Sequence, residues 1–136
     1  MSAPNLIEEA AQILAELPSI RDVIKTHNLR ADKSLGQHFL LDGNLLSRIV
    51  RSAGDLGGQT VVEIGPGPGG LTRALLASPA KKIIAVEMDA RCVAALQPLQ
   101  QAFPQRLEIR HGDAMETRLS DLSGDPTTII ANLPYN

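Results

Sequence analysis

Three glycines and one glutamate carry the clearest chemical pattern in the sequence. Gly65, Gly67 and Gly70 have the spacing G-x-G-x-x-G, directly after an apolar run and directly before a helical pattern. Such a turn brings bare backbone close to a ligand near the positive end of a helix, although glycines also form plain turns. Glu87 follows a second apolar run, where a carboxylate can accept hydrogen bonds from ribose hydroxyls. Together the glycines and Glu87 predict a nucleoside site.

A second group of candidate residues follows a later apolar run and comprises Asn132, Leu133, Pro134 and Tyr135. The amide oxygen of Asn132 and a carbonyl beside Pro134 can accept hydrogen bonds from the amino group of a planar base, while Tyr135 stacks on its ring. Holding both amino hydrogens aims the nitrogen lone pair at an electrophile such as a sulfonium methyl. These four residues are therefore the predicted catalytic element. The alternative is a proline turn that ends in a buried tyrosine.

The elements that must position these residues alternate between strands and helices. Apolar runs predict strands at residues 61–64, 82–86, 107–111 and 127–131. A helix is expected after the glycine turn, and another from Asp89 with a kink or break at Pro98. This order predicts an α/β fold with a right-handed, mostly parallel sheet, which binds ligands beyond the carboxyl ends of its strands. Four candidate residues fall at those ends: Gly65, Glu87, Asp113 and Asn132.

The chain before residue 31 has a different pattern. Helical spacing predicts one helix at residues 5–17 and a second at residues 19–25, separated by Pro18. We expect residues 1–30 to be an N-terminal helical extension, packed on the α/β domain of residues 31–136 or partly mobile. This extension and the residues just after it form the most basic region of the chain. Its basic side chains could contact phosphates or form a solvated face: Arg21, Lys25, Arg30 and Lys33.

Composition limits the remaining possibilities. A chain of 136 residues with 43% hydrophobic content fits one domain. The net charge of −2 leaves nucleic-acid binding to a local patch, and the single Cys92 excludes an internal disulfide framework. No segment approaches the about 20 apolar residues of a membrane span, and no signal peptide is recognisable, so a cytoplasmic location is expected. His38 has no second histidine or cysteine at metal spacing, so no metal is predicted.

Five motifs together resemble the ribosomal RNA adenine dimethyltransferase family. They are GQHFL, VEIGPGPGGLT, VEMD, GDAM and NLPYN, and the resemblance covers the chain from about residue 29 to residue 136. It implies a Rossmann-like sheet that uses S-adenosylmethionine to dimethylate the amino groups of two adjacent adenosines in small-subunit ribosomal RNA. The implied partner is the immature small ribosomal subunit, and the implied process is ribosome biogenesis.

The resemblance also implies cofactor contacts at the methionine and ribose ends. His38 and Leu40 would flank the methionine end of S-adenosylmethionine, and His38 departs from the commoner asparagine. Gly65 and Gly67 would form the glycine turn, and Glu87 would hold the ribose. These assignments extend the nucleoside site to the region before residue 41.

At the adenine end, the resemblance implies that Asp113 holds the adenine of the cofactor, with Met88 and Ala114 beside it. Asn132 would bridge the cofactor and the substrate base. Members of the family continue beyond NLPYN with further strands and a small helical domain. The sheet is therefore expected to be truncated after the fourth strand, which would leave residues 127–131 as an exposed edge. We expect this chain alone to be nearly inactive and to self-associate through that edge.

Two other functions stay open from the residues. A nicotinamide-dependent oxidoreductase would use the same glycine turn and the same acidic residue, but it gives no task to Asp113 or to NLPY. A non-catalytic remnant that binds a nucleotide or RNA would keep the fold without the reaction.

Overall fold

The computed structural model describes residues 3–29, 42–114 and 127–131, which form five helices and four strands. The helices are α1 (Ala3–Glu16), α2 (Ile20–Thr26), α3 (Gly43–Ser52), α4 (Gly70–Leu76) and α5 (Ala90–Ala102). The strands are β1 (Thr60–Ile64), β2 (Lys82–Glu87), β3 (Leu107–His111) and β4 (Thr127–Ala131). All four predicted strands are confirmed, with boundaries that differ by no more than one residue.

The strands form one parallel sheet in the order β3-β2-β1-β4. Strand β1 pairs with β2 and β4, so Ile64 lies opposite both Val86 and Ala131. Strand β2 pairs with β3 on its other side, with Glu87 opposite His111. The parallel α/β fold is therefore confirmed, and the carboxyl ends of all four strands lie at the same edge of the sheet.

The two central strands are buried on both faces, which explains why their sequences are apolar without alternation. Val61 and Ile83 pack on one face in the main core, together with residues of α1, α3, α4 and α5. Val62 and Ile84 pack on the opposite face, in a smaller cluster that includes Ala114. Continuous apolar sequence in β1 and β2 therefore reflects their central place in the sheet.

The N-terminal helices pack against the domain. In α1, Ala10 is 1% exposed and three partly buried residues pack on the main core: Ile13, Leu14 and Leu17. In α2, Val23 packs in a small cluster with Ala95 of α5, and the partly buried Cys92 packs against it. The extension is therefore packed on the domain, and a domain boundary near residue 30 stays a prediction.

Helix α5 contains Pro98, where the sequence predicted a kink or a break. The helix does not break there but continues to Ala102, and Pro98 is exposed. Proline removes one backbone hydrogen bond from a helix. The flanking residues Leu96 and Leu99 are buried in the main core, and this packing holds the helix together across the proline.

Strand β4 is an outer strand among the described residues, because its only described neighbour is β1. Ile130 packs against the main core, whereas Ile129 is 46% exposed. The sequence predicted that this strand would be an exposed edge of the sheet. The described residues cover it on one face, and the edge beyond β4 has no described partner strand.

Arg106 joins the end of α4 to the start of β2. Its guanidinium group donates to the carbonyl oxygens of Leu76 at 2.7 Å, Ser78 at 3.1 Å and Ala80 at 2.7 Å. The last carbonyls of a helix have no partner within the helix. Arg106 therefore satisfies carbonyl groups of a connection whose residues Ser78 and Ala80 are buried.

We expect Arg106→Met to lower the free energy of unfolding by about 2–4 kcal/mol, because the variant keeps the aliphatic stem and leaves three carbonyl groups without their charged donor. Urea denaturation measures the change. Arg51→Met is the matched control, since Arg51 is exposed on α3; it should change stability by less than about 0.5 kcal/mol. Equal stabilities of the two variants would contradict this account of Arg106.

Candidate functional site

The glycine turn after β1 needs backbone conformations that side chains oppose. Gly65, Gly67 and Gly69 have φ angles of 72°, 57° and 102°. A Cβ atom at Gly69 would lie 2.9 Å from Cδ2 of Leu96, so this glycine also lets α4 pack closely on α5. The third glycine of the sequence motif, Gly70, instead begins α4. The conformational demand therefore falls on Gly69, one residue before the position that the motif indicated.

Gly67 differs from Gly69 in its surroundings. A Cβ atom at Gly67 would meet no atom within 4 Å, so the backbone is open on this side. Its N–H group donates to Oε1 of Glu87 at 2.9 Å. Gly67 therefore presents bare backbone beside a carboxylate, as the nucleoside-site hypothesis requires.

Glu87 connects three elements at the carboxyl end of β2. Its Oε1 atom accepts from Gly67, and its Oε2 atom accepts from the N–H of Asp89 at 2.8 Å, at the start of α5. The side chain is buried, with 8% of the residue exposed. A carboxylate has about four lone-pair positions, so two backbone donors leave capacity for ribose hydroxyls. Glu87 thus orders the turn and still has acceptor capacity for a ligand.

The ends of β2 and β3 are joined beside Met88, whose side chain is exposed at 65%. The N–H of Gly112 donates to the carbonyl of Glu87 at 2.9 Å, and Nε2 of His111 lies 3.0 Å from the carbonyl of Met88. Asp113 follows directly along the chain. These bonds hold the segment before Asp113 against the segment that carries Met88.

Sequence reasoning missed His111 as a residue of the site. A histidine at the end of a strand gives no signal of its own, because its contact with Met88 depends on the register between β2 and β3. That register places His111 opposite Glu87. The nearby position of Asp113 in the sequence was the only available indication.

Glu63 is a second buried carboxylate that sequence reasoning treated only as part of a strand. It is 0% exposed, and its Oε1 atom accepts from Oγ1 of Thr72 at 2.6 Å. Its Oε2 atom has no hydrogen-bond partner among the described residues. Glu63 lies opposite Ala85, so alternation along β2 puts Glu63 and Glu87 on the same face of the sheet. A charged residue within an apolar strand was the signal that could have identified it.

Burial raises the pKa of Glu63 to about 7. Desolvation is the largest cause; the Thr72 hydrogen bond lowers the pKa, and the charge of Glu87 raises it. The site therefore contains one carboxylate held by two backbone donors and one carboxyl group that changes charge near neutral pH.

The structure brings the described candidate residues together at the carboxyl edge of the sheet. Gly65 and Gly67 follow β1, Glu87 ends β2 and Met88 follows it, and beyond β3 come Asp113 and Ala114. The remaining candidates lie outside the described residues: His38, Leu40, Asn132, Leu133, Pro134 and Tyr135.

The described residues contain neither a metal-ligand cluster nor a membrane-crossing helix. Within residues 3–29, 42–114 and 127–131, no group of three or more histidine, cysteine, aspartate or glutamate side chains could hold a metal ion. None of the helices in these ranges combines the length and apolar character that a membrane crossing needs.

A parallel sheet with a glycine turn after one strand and a buried carboxylate after the next defines a Rossmann-like, nucleotide-binding class of α/β protein. The family model for ribosomal RNA adenine dimethylase matches residues 28–136. The chain belongs to the ribosomal RNA adenine dimethylase family.

Individual relatives agree with this family. The chain is 57% identical over 122 residues to ribosomal RNA small subunit methyltransferase A of Azorhizobium caulinodans, covering 89% of this chain and 42% of that protein. It thus spans less than half the length of this relative.

Two solved structures are also similar. A dimethyladenosine transferase from Plasmodium falciparum matches with a TM-score of 0.56 and 30% identity, over 69% of this chain and 33% of the other. The 23S rRNA methyltransferase ErmE matches with a TM-score of 0.60 and 26% identity, over 69% of this chain and 36% of the other. The predicted fold is therefore confirmed by both sequence and structure.

The pKa of Glu63 predicts a specific pH dependence of stability. A carboxyl group with a pKa of about 7 in the folded state and 4.5 as its ordinary value destabilises the fold as the pH rises through that interval. Glu63→Gln removes this titration, so its stability relative to the unchanged protein should increase by up to about 3 kcal/mol between pH 4 and pH 8. Urea denaturation at both pH values measures the difference.

Glu8→Gln is the control for this experiment, because Glu8 is exposed on α1. Its stability relative to the unchanged protein should be nearly independent of pH. If Glu63→Gln shows the same pH-independent difference, Glu63 is not the group that titrates with a raised pKa.

Proposed function

We propose that this chain forms the cofactor-binding sheet of an S-adenosylmethionine-dependent enzyme that dimethylates two adjacent adenosines in small-subunit ribosomal RNA. The main structural support for a cofactor site is that Glu87 accepts hydrogen bonds from the backbone of Gly67 and Asp89 at the carboxyl edge of the sheet. Membership in the ribosomal RNA adenine dimethylase family supports the reaction and the substrate. Because the chain covers 42% of its Azorhizobium relative, the activity of a whole enzyme is part of this proposal.

The described residues fit the nucleoside part of S-adenosylmethionine. Gly67 leaves space above the turn, Glu87 has free acceptor capacity for ribose hydroxyls, and Met88 offers an exposed apolar side chain for the face of a purine. Asp113 and Ala114 follow β3 at the same edge, where a carboxylate can accept from an adenine amino group. In the proposal, Glu87 holds the ribose and Asp113 holds the adenine, between Met88 and Ala114.

The methionine end and the target base are assigned to residues outside the described part of the chain. We assign His38 and Leu40 to the methionine end, on the resemblance of the GQHFL motif. Asn132 and the backbone beside Pro134 would accept from the target amino group, and Tyr135 would stack on the base. Asn132 would also touch the cofactor.

S-adenosylmethionine supplies a sulfonium methyl group when it is bound. The chain's contribution is positioning: Asn132 and the carbonyl beside Pro134 hold both amino hydrogens of adenine, which directs the nitrogen lone pair at the electrophile. Leu133 belongs to the same NLPY motif.

The two alternative functions receive less support. An oxidoreductase is disfavoured because the family model matches an adenine dimethylase over residues 28–136. A non-catalytic remnant is disfavoured because the described candidate positions keep the residues that the family motifs have. The proposal places the protein in the cytoplasm, on the immature small ribosomal subunit. It also includes self-association of this chain alone through the outer edge of β4, where Ile129 is exposed.

Calorimetric titration with S-adenosylmethionine and with NAD tests the cofactor. We expect binding of S-adenosylmethionine only, and we expect Glu87→Ala to weaken it by about ten- to a hundredfold, since charge-assisted hydrogen bonds are lost. Glu8→Ala, a change of an exposed carboxylate on α1, should leave the dissociation constant unchanged. Preferential binding of NAD, or an unchanged constant for Glu87→Ala, would contradict the assignment.

Methyl transfer tests the reaction itself, using the full product of the gene, labelled S-adenosylmethionine and immature small ribosomal subunits. We expect dimethylated adenosine in the ribosomal RNA. Asn132→Ala should strongly reduce turnover, because it removes an acceptor for the target amino group. Full turnover after this substitution would remove Asn132 from the mechanism.

A further inference from the structure

A cavity separate from Glu87 lies where three helices begin. It has a volume of about 390 Å³ and is bounded by the starts of α2, α3 and α4. The described residues that line it are Ser19, Ile20, Arg21, Gly43, Leu46, Ser47, Gly70, Arg73 and Ala74. Only Gly70 belongs to the motif of the glycine turn. The proposed cofactor residues Glu87, Met88 and Asp113 are not part of this lining.

The charged residues of the described lining are both arginines. Arg21 is exposed on α2, and Arg73 is half-buried on α4. No aspartate or glutamate is among the described lining residues. Two acidic residues adjoin the lining in sequence: Asp22 follows Arg21 on the exposed surface of α2, and Asp42 precedes Gly43. The carboxylate of Asp42 accepts from the N–H groups of Asn44 and Leu45 at 3.1 Å. The cavity therefore concentrates positive charge without a neighbouring counterion in its described lining.

Arg73 is the unusual residue of this cavity. Its Nε atom is buried without a hydrogen-bond partner, and its guanidinium group makes no ion pair among the described residues. Burial lowers the pKa of Arg73, because the charged form is partly removed from water. A half-buried guanidinium group with an unsatisfied Nε atom loses part of its hydration without gaining a partner, and an anion in the cavity would supply one.

Hydroxyl groups add to the binding capacity of the two arginines. Ser19 accepts from the N–H of Asp22 at 3.2 Å, and its own hydroxyl proton is available to a ligand. Ser47 is exposed at the rim of the cavity. Planar guanidinium groups with nearby hydroxyl donors match the oxygens of a phosphate group.

We propose that Arg21 and Arg73 form a subsite for a phosphodiester group of the RNA substrate, beside the start of α4. The subsite rests on the proposed function, because RNA is the polyanion that this enzyme would handle. Sequence reasoning left the basic region around Arg21 as either a phosphate contact or a solvated face; its proximity to Arg73 favours the phosphate contact. The subsite would hold the RNA backbone beside the starts of α2, α3 and α4.

The test measures RNA binding by the full product of the gene, using a hairpin with two adjacent adenosines from small-subunit ribosomal RNA. Arg21→Met and Arg73→Met should each weaken binding about three- to tenfold near 150 mM salt. Each should also reduce the slope of log affinity against log salt by about 0.7–0.9, the value for one phosphate contact. Arg73→Lys should recover part of the affinity, and Arg51→Met, an arginine outside the cavity, should change it less than twofold.

Two further measurements separate this subsite from a structural effect and from free phosphate. Urea denaturation should find Arg73→Met close in stability to the unchanged protein, because the substitution keeps the aliphatic stem and removes no ion pair among the described residues. Inorganic phosphate should displace the hairpin better than chloride at equal ionic strength, and this difference should be lost in Arg73→Met. Saturable phosphate binding that needs Arg73, without any effect of Arg73 on RNA affinity, would assign the cavity to free phosphate and overturn the proposal.

The cofactor titration keeps this inference distinct from the proposed function. S-adenosylmethionine should bind Arg73→Met and the unchanged protein with the same affinity. Unchanged RNA affinity and salt slope in both methionine variants, with normal cofactor binding, would overturn the subsite alone. If Arg73→Met fails to fold, the exposed Arg21→Met decides by the same criteria. Failure of the unchanged protein to bind S-adenosylmethionine would instead overturn the proposed function.

Discussion

The site depends on the carboxylate of Glu87, which accepts one backbone N–H from the glycine turn and one from the start of α5. Without an acceptor, the N–H of Gly67 would lose its only hydrogen bond in the described structure, and the left-handed backbone of the turn would be less well defined. Because the side chain is buried at the end of β2, the position of the turn is fixed relative to the sheet. Ordering of the turn and proposed recognition of the ribose thus use the same two oxygens.

Glu63 adds a second carboxyl group whose charge is repelled by that of Glu87. Two carboxyl groups lie on one face of adjacent strands, and the charge of Glu87 contributes to the raised pKa of Glu63. The backbone donors stabilise negative charge on Glu87, whereas Glu63 has the single hydroxyl of Thr72 and an oxygen without a described partner. The fold therefore disfavours ionisation of Glu63, while both oxygens of Glu87 accept backbone N–H groups at the carboxyl edge of the sheet.

The strands and Glu87 could be predicted from sequence because their signals are local: apolar runs, glycine spacing, and an acidic residue directly after a strand. The bond between His111 and Met88 could not, because it depends on the register of β2 against β3. The continuation of α5 through Pro98 is a case in which burial of Leu96 and Leu99 outweighs a local helix-breaking signal. The shift from Gly70 to Gly69 likewise follows from the packing of α4 on α5.

Two half-buried arginines show why burial alone does not identify a site. The pKa values of Arg73 and Arg106 are both lowered by desolvation, and both residues have a buried Nε atom without a partner. Arg106 nevertheless donates from its terminal nitrogens to three backbone carbonyls, so its charge is used within the fold. Arg73 has no such partner among the described residues and lines a cavity with Arg21. The same side chain at similar depth therefore stabilises a chain connection in one place and leaves a cation available to an anion in the other.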